Sequence, residues 1–115
     1  LGLLHEIGSP SLTLLVDTFH MNIEEADIAA SVRRAGASIG HVHFVDSNRQ
    51  APGHGHLDLE GVLRALQDVH YRGYLSLECL PLPDSRQAAV DAIHILRPLL
   101  ARFRKQMRHM SNRRR

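Results

Sequence analysis

The 115-residue sequence predicts an α/β fold of parallel strands that alternate with helices. Three short apolar runs, each followed by a stretch of helical periodicity, are typical of βα units. Each run also ends in a side chain that can bind a metal ion, namely Asp17, His43 and Glu78. Because the strands of successive βα units point the same way, we expect these three residues to meet at one rim of the sheet.

Composition favours a single folded domain, because 43% of the residues are apolar and 23% are charged. No apolar run approaches the roughly 20 residues of a membrane span, so a membrane partner is not expected. The single cysteine, Cys79, excludes an internal disulfide and a multi-cysteine zinc site. A cytoplasmic location is therefore expected.

The first part of the chain predicts a helix end, a strand and a second helix. Residues 1–7 have the pattern of a closing helix, and Gly8-Ser9-Pro10 is a stop signal. The first strand is predicted over residues 11–17. The next helix is predicted to begin at Ile23, with Asn22 as its N-cap and acidic residues in its first turn.

That helix should bury Ile28 and Val32 and end at Gly36, because glycine suits a C-cap. The second strand is predicted over residues 39–45. The polar loop at 46–57 is long for a connection between a strand and a helix, and such loops usually carry function.

The remaining elements repeat the pattern. Asp58 is predicted to cap a helix over residues 59–70, and a third strand is predicted over 74–79. A final helix should run from Ser85 to about residue 107, with Pro98 kinking it or ending its first part. The apolar positions that follow the helical period in it are Ala89, Ile93, Leu96, Leu100 and Phe103.

Three βα units cannot close a barrel, which takes eight. We therefore interpret residues 1–107 as a partial TIM barrel, the C-terminal three βα units of a (β/α)8 barrel whose other units precede Leu1. Alone, these units would have an open sheet edge and an exposed strand face. The remaining N-terminal barrel units are thus the expected partners, and a homo-oligomer is left open.

Half of the 14 basic residues lie within residues 102–115. We separate residues 108–115 as a basic C-terminal tail. A solvated helix end is favoured over a nucleic-acid-binding segment, because the tail lacks interleaved aromatic residues. A nucleic-acid partner is not expected.

An aspartate, a histidine and a glutamate suit Mn²⁺, Co²⁺, Mg²⁺ or Zn²⁺. Taken singly, Asp17 could be a helix cap, His43 a core residue and Glu78 a solvated one. Their recurrence at three strand ends favours a metal site. His41 could compete as the ligand from the second strand, but His43 is preferred because it lies nearer the rim.

Two further residues are predicted to reach this rim. His20 lies three residues beyond Asp17, and Arg49 lies at the mouth of the long loop, where its guanidinium could hold a substrate oxygen. His54 and His56 could form a second metal clip, although substrate-facing or solvated side chains are favoured. Cys79 could line the pocket or act as a small apolar residue.

Three segments carry a family resemblance, and they are Val16-Asp17-Thr18-Phe19-His20-Met21-Asn22, the stretch from His43 to His56, and Ser76-Leu77-Glu78. In this order and spacing they resemble the xylose-isomerase-like barrels. The branch they resemble is the sugar isomerase/epimerase group, which includes D-tagatose and D-psicose 3-epimerases and hydroxypyruvate isomerase.

The resemblance implies a metal-dependent isomerase or epimerase that moves a proton next to the carbonyl of a small sugar through an enediolate. Mn²⁺ is the favoured ion, Co²⁺ or Mg²⁺ are alternatives, and Zn²⁺ is less favoured. The implied metal ligands are Asp17, His43, Glu78 and a glutamate expected before Leu1. Glu78 would also be catalytic, while His20 and Arg49 would bind the substrate. Without the fourth ligand, the fragment alone is expected to be inactive.

Two alternatives remain. An apurinic/apyrimidinic endonuclease of the endonuclease IV type shares the barrel, but its three-zinc site needs an Asp-x-His in the loop after the second strand, which this loop lacks. A non-catalytic sugar-binding barrel is the other alternative.

Overall fold

The computed structural model describes residues 1–112, with side chains through residue 103. The elements are, in chain order, α1 (Gly2–Ile7), β1 (Leu14–Asp17), α2 (Thr18–Glu24), α3 (Ile28–Ala35), a 3₁₀ turn (Gly36–Ser38), β2 (Ile39–His43), α4 (Leu59–Asp68), β3 (Leu75–Ser76) and α5 (Ser85–Asn112). The predicted α/β class is confirmed. The division at residue 107 stays a prediction, and the side chains of the predicted basic tail lie outside the described residues.

The three strands form one parallel sheet in the order β1-β2-β3. Asp17 is the register partner of His43, and His43 is in turn the partner of Ser76. Glu78 follows two residues later on the same side of the pleat. The C-terminal ends of all three strands therefore lie at one rim, as the repeated pattern predicts.

The strands are shorter than the apolar runs indicate. β2 ends at His43 rather than at Val45, because the hydroxyl of Thr18 takes both backbone groups of Val45. Thr18 Oγ1 donates to Val45 O over 2.6 Å and accepts from Val45 N over 2.9 Å. A side chain thus replaces the strand ladder at this point, and it ties the start of α2 to the end of β2.

The prediction of one helix capped by Asn22 is wrong. Two helices occupy this region: α2 begins at Thr18, directly after the strand, and α3 begins at Ile28. Asp27, expected in a first turn, is instead the N-cap of α3, with Oδ1 accepting from Ala30 N over 2.9 Å. Gly36 is the C-cap of α3 with a φ of 54°, as its position predicts.

The helices α3 and α4 cover one face of the sheet. The predicted cap of α4 is confirmed, since Asp58 Oδ1 accepts from Gly61 N over 2.9 Å. Val42 and Phe44 point into this layer and are completely buried. The buried cluster around them consists of Val32, Ile39, Val62, Leu63, Ala65, Leu66, Leu96 and Phe103.

Over its first half, α5 buries a different face from the one that its apolar pattern predicts. Ala88 and Ala92 are buried, whereas Ile93 is 50% exposed. Ala88 and Ala92 pack with Ala51 of the loop in a small buried cluster. The helix continues through Pro98. Within the described residues, no helix is both long and apolar enough to cross a membrane.

The other face of the sheet carries the rim residues and has no covering layer in the described part of the chain. Leu15 on this face is 55% exposed. His41 and His43 lie on the same side because alternate residues of a strand share a face. The exposed strand face expected from three βα units is therefore present.

Candidate metal centre

The two carboxylate oxygens of Asp17 face different partners. Its Oδ1 caps α2 by accepting from Phe19 N over 2.9 Å and from His20 N over 3.2 Å. Its Oδ2 lies 3.4 Å from Nδ1 of His43. The side chain is 7% exposed, so one oxygen fixes the carboxylate while the other faces the rim. The two interpretations of Asp17 from the sequence, as a helix cap or as a metal ligand, are therefore compatible.

His43 sits between two carboxylates. Its Nδ1 lies 3.0 Å from Oε2 of Glu78 and 3.4 Å from Oδ2 of Asp17. His41 packs edge-on against the ring of His43, with centroids 5.4 Å apart. The Nε2 atom of His41 instead pairs with Oγ of Ser76 over 2.9 Å. The structure therefore brings His43, and not His41, together with the carboxylates.

Glu78 is the most accessible member of the group, with a side chain that is 51% exposed. Its Oε1 accepts from Nη2 of Arg49 over 3.3 Å, while Oε2 faces His43. The guanidinium of Arg49 also lies 5.3 Å from the centre of the Phe19 ring, a cation–π arrangement. Arg49 thus reaches the rim from the loop.

These residues fit a divalent cation by position and by chemistry. One ligand atom from each of Asp17, His43 and Glu78 lies within 4.8 Å of the others, the one such group of three in the described residues. The shorter separations of 3.0 and 3.4 Å are close to the edge of an octahedron with bonds of about 2.1 Å, which is about 3 Å. Two carboxylates and an imidazole form the mixed oxygen and nitrogen set predicted from the sequence.

His20 is at the rim but outside this group. Its exposed ring packs edge-on against Phe19, with centroids 5.2 Å apart. Phe19 therefore contacts both predicted substrate-binding residues, His20 and Arg49. Sequence reasoning missed Phe19, although its place between Asp17 and His20 was the available signal.

The loop at 46–57 is organised around Asp46, another residue that sequence reasoning missed. Asp46 is 1% exposed, and its carboxylate accepts backbone N–H groups from three loop residues, Ser47 (2.8 Å), Gly53 (2.8 Å) and Leu57 (3.1 Å). Burial alone would raise the pKa of Asp46, but the bonds from Leu57, Ser47 and Gly53, together with the nearby backbone N–H of Gly55, outweigh it and hold the pKa below its usual value.

The loop histidines do not join the metal-ligand group. Nε2 of His54 pairs with Oδ2 of Asp91 on α5 over 2.9 Å, and Nδ1 of His56 pairs with Oγ of Ser47 over 2.9 Å. His54 fastens the loop to α5, and His56 makes its contact within the loop, so this geometry gives no support to a second metal clip. Cys79 is partly buried against the alanine cluster of α5, which favours the small apolar role.

A parallel βα sheet with carboxylate and imidazole groups at its carboxyl rim defines the class of protein, a barrel-type α/β protein with a candidate metal centre. The family model for the xylose isomerase-like TIM barrel matches residues 1–99. The chain belongs to this family.

The relatives it resembles include several ketose 3-epimerases. D-psicose 3-epimerase of Enterocloster bolteae is 44% identical over 73 residues, which are 64% of this chain and 24% of that protein. L-ribulose 3-epimerase of Mesorhizobium japonicum is 42% identical over 78 residues, 68% of this chain and 26% of that protein. The matched segments thus span about a quarter of these curated relatives.

Solved structures agree. D-allulose 3-epimerase of Methylomonas sp. in complex with D-allulose has a TM-score of 0.65 at 39% identity, covering 69% of this chain and 27% of that one. A structure of L-ribulose 3-epimerase has a TM-score of 0.82 at 29% identity, covering 96% of this chain and 43% of that one. The predicted barrel class and sugar-epimerase branch are confirmed.

Proposed function

We propose that this chain provides the metal-binding rim of a sugar isomerase or epimerase, of the ketose 3-epimerase or aldose–ketose isomerase type. The observation that carries the proposal is the convergence of Asp17, His43 and Glu78 within 4.8 Å. The similarity to ketose 3-epimerases supports a small ketose, or a related hydroxy-carbonyl compound, as substrate.

In this proposal Asp17, His43 and Glu78 hold a divalent cation, with Mn²⁺ favoured and Co²⁺ or Mg²⁺ as alternatives. Such an ion, when bound, stabilises negative charge on sugar oxygens next to the reacting carbon. The fixed carboxylate of Asp17 is suited to holding the ion in one place, because its other oxygen is tied to the start of α2.

Glu78 is the proposed acid/base group. Its carboxylate is exposed on the open face, so a sugar carbon can approach it. Removing a proton from a carbon next to a carbonyl requires a base within hydrogen-bonding reach of that proton. Return of the proton to the opposite face of the same carbon gives epimerisation, whereas return to the neighbouring carbon gives isomerisation.

Arg49 and His20 are the proposed substrate-binding residues. The guanidinium of Arg49 lies beside Glu78, where it can orient a hydroxyl or carbonyl oxygen near the proton-transfer group. His20 is exposed at the same rim, and its ring packs against Phe19, which Arg49 also contacts. Together they would set the pose of the sugar relative to Glu78.

A second carboxylate and a fourth metal ligand are expected from barrel units outside this sequence. The comparisons support this part of the proposal, because the matched segments span only about a quarter of the length of the relatives and the rest of the barrel has no counterpart in these residues. The 115 residues tested alone should therefore be inactive, and the complete protein is the object to assay.

The test is the metal content and ketose 3-epimerase activity of the complete protein. We expect chelation to abolish conversion of D-psicose or L-ribulose and added Mn²⁺ to restore it. A protein that binds the ion but leaves free ketoses and aldoses unchanged would contradict the proposal. Cleavage of abasic DNA by such a protein would instead support the endonuclease alternative, and sugar binding without turnover would support the non-catalytic barrel.

A further inference from the structure

The loop at 46–57 contains a buried carboxylate that the proposed chemistry does not use. Asp46 lies three residues beyond His43 and is almost fully buried, yet no cationic side chain pairs with it in the described part of the chain. Backbone N–H groups provide its hydrogen bonds instead. A buried charge is costly unless hydrogen bonds satisfy it. The loop backbone therefore adopts a shape that directs its N–H groups at the Asp46 carboxylate.

The two loop glycines allow the backbone to wrap around this carboxylate. A Cβ atom on Gly55 would overlap Oδ1 of Asp46. Gly53 has a φ of 100°, a conformation that other residues rarely adopt, and its N–H donates to Oδ2 over 2.8 Å. The Pro52-Gly53-His54-Gly55-His56 motif is thus a cradle for Asp46, which is a different role from a histidine clip.

The cradle connects directly to Arg49. The backbone O of Asp46 accepts from Arg49 N over 2.9 Å, and Arg49 itself has a φ of 60°. A non-glycine residue in this left-handed conformation is strained and persists only where its surroundings hold it. Asn48 adds a second link, because its Nδ2 donates to the backbone O of His54 over 2.8 Å.

The other backbone group of Arg49 also has a partner, because its backbone O accepts from Leu80 N over 2.7 Å. Arg49 is therefore held between the turn that Asp46 starts and the segment that follows Glu78. This hydrogen bond ties the loop to the segment after β3. It lies two residues from Glu78, whose carboxylate accepts from the Arg49 guanidinium.

We propose that Asp46 is a positioning residue whose buried carboxylate holds the 46–57 loop in the shape that presents the Arg49 guanidinium to Glu78. Its effect on turnover rests on the proposed sugar isomerase or epimerase function. Its effect on the loop does not, so the two can be tested separately.

The structural test compares amide hydrogen exchange in the complete protein and in its Asp46→Asn variant. Asparagine has the shape of aspartate, but it places an N–H₂ group against a backbone N–H and so breaks part of the cradle. A purely local role would increase exchange only at Ser47, Gly53 and Leu57. Our proposal expects faster exchange, about tenfold or more, at Leu80 as well, because Leu80 N–H reports the position of Arg49. Unchanged exchange at Leu80 would overturn it.

Gly55→Ala provides a second variant that displaces the carboxylate without changing its charge. It should increase exchange at Leu80 in the same way. Gly2→Ala is the matched control, because a Cβ there meets nothing within 4 Å. Asp84→Asn is the control for the aspartate change, since the Asp84 carboxylate accepts from Gln87 N at the start of α5 rather than from the loop backbone.

The functional test is a double-mutant cycle with the sugar as probe. Asp46→Asn should lower kcat/KM for D-psicose about 10- to 100-fold, the usual size of losses at supporting residues, with metal content unchanged. In an Arg49→Ala background the further loss should disappear, because both changes remove the same interaction. Losses that multiply would show that Asp46 does not act through Arg49. If the parent protein converts no sugar, the proposed function fails, and exchange at Leu80 alone decides the positioning role.

Discussion

The two sides of the rim are built differently. On the β1–β2 side, four register pairs join the strands, and Asp17 is held by the backbone of α2. On the β3 side, two register pairs join the strands, and Glu78 lies beyond the last of them, where His43 and Arg49 are the side chains on its carboxylate among the described residues. One carboxylate is fixed and buried, whereas the other is exposed.

This difference matches the two tasks that the site would perform. A metal ligand works best in a fixed position, because rearranging it costs binding energy. A proton-transfer group must reach the substrate carbon, so access to the open face matters more than burial. Substitutions on the β1–β2 side should therefore affect metal affinity and stability, whereas substitutions at Glu78 should affect turnover most.

The largest effect is expected on the exposed side. Glu78→Gln keeps the size and one acceptor oxygen of the side chain but removes both the proposed base and a charged metal ligand. Turnover of the ketose by the complete protein should fall about 10²- to 10⁴-fold or more, while the thermal unfolding temperature stays close to that of the parent. Steady-state kinetics and calorimetry measure the two quantities. A near-normal rate would remove Glu78 from the mechanism.

The next effect is expected on the fixed side. Asp17→Asn should weaken metal affinity about 10- to 100-fold or more, because a charged ligand becomes neutral. Asparagine is also a good N-cap, so α2 should persist. Metal titration followed by calorimetry measures the change. Asp27→Asn, which alters the cap of α3 away from the rim, serves as control and should leave metal affinity unchanged.

A third change probes what holds the fixed side together. Thr18→Val leaves both backbone groups of Val45 without their partner. Because unsatisfied buried groups cost about 1–3 kcal/mol, the free energy of unfolding should fall by that amount in a denaturant titration. Thr18→Ser keeps the hydroxyl and should recover much of the loss.

The equivalent change on the β3 side is Ser76→Ala, which removes a partly buried pair with His41. We expect a smaller loss, about 0.5–1.5 kcal/mol, because no pair of backbone groups is left unsatisfied. An equal loss for Thr18→Val and Ser76→Ala would argue against a difference in rigidity between the two sides.

The smallest effect is a pH dependence at the loop between them. The pKa of Asp46 is lowered in the folded protein, so Asp46 contributes stability above its ordinary pKa of 3.8 and loses it as the pH falls through the lowered value. The difference in unfolding free energy between the parent and Asp46→Asn should therefore be constant near neutral pH and shrink in acid. A difference that grows in acid would contradict this assignment.

The elements with local signals were predictable from the sequence. Asp58 precedes a helix and caps it, and Gly36 closes a helix in the expected way. The choice between Asn22 and Asp27 as a cap was not predictable, because both are good capping residues and Asp17 had already started a helix. Similarly, the inward turn of Ala88 and Ala92 depends on the loop residue Ala51, which packs against them.

By itself, the sequence determined the three βα units and the placing of Asp17, His43 and Glu78 at their carboxyl ends, because strand periodicity and parallel connections are local rules. The sequence favoured His43 over His41 as the ligand, but only the tertiary structure decided that His41 pairs with Ser76 while His43 faces both carboxylates, and that Asp46 is buried in a cradle of backbone N–H groups. These outcomes depend on contacts between distant parts of the chain, such as His43 with Glu78, which are 35 residues apart. No local sequence pattern determines a contact between residues so far apart in the chain, and the packing of the whole sheet determines it instead.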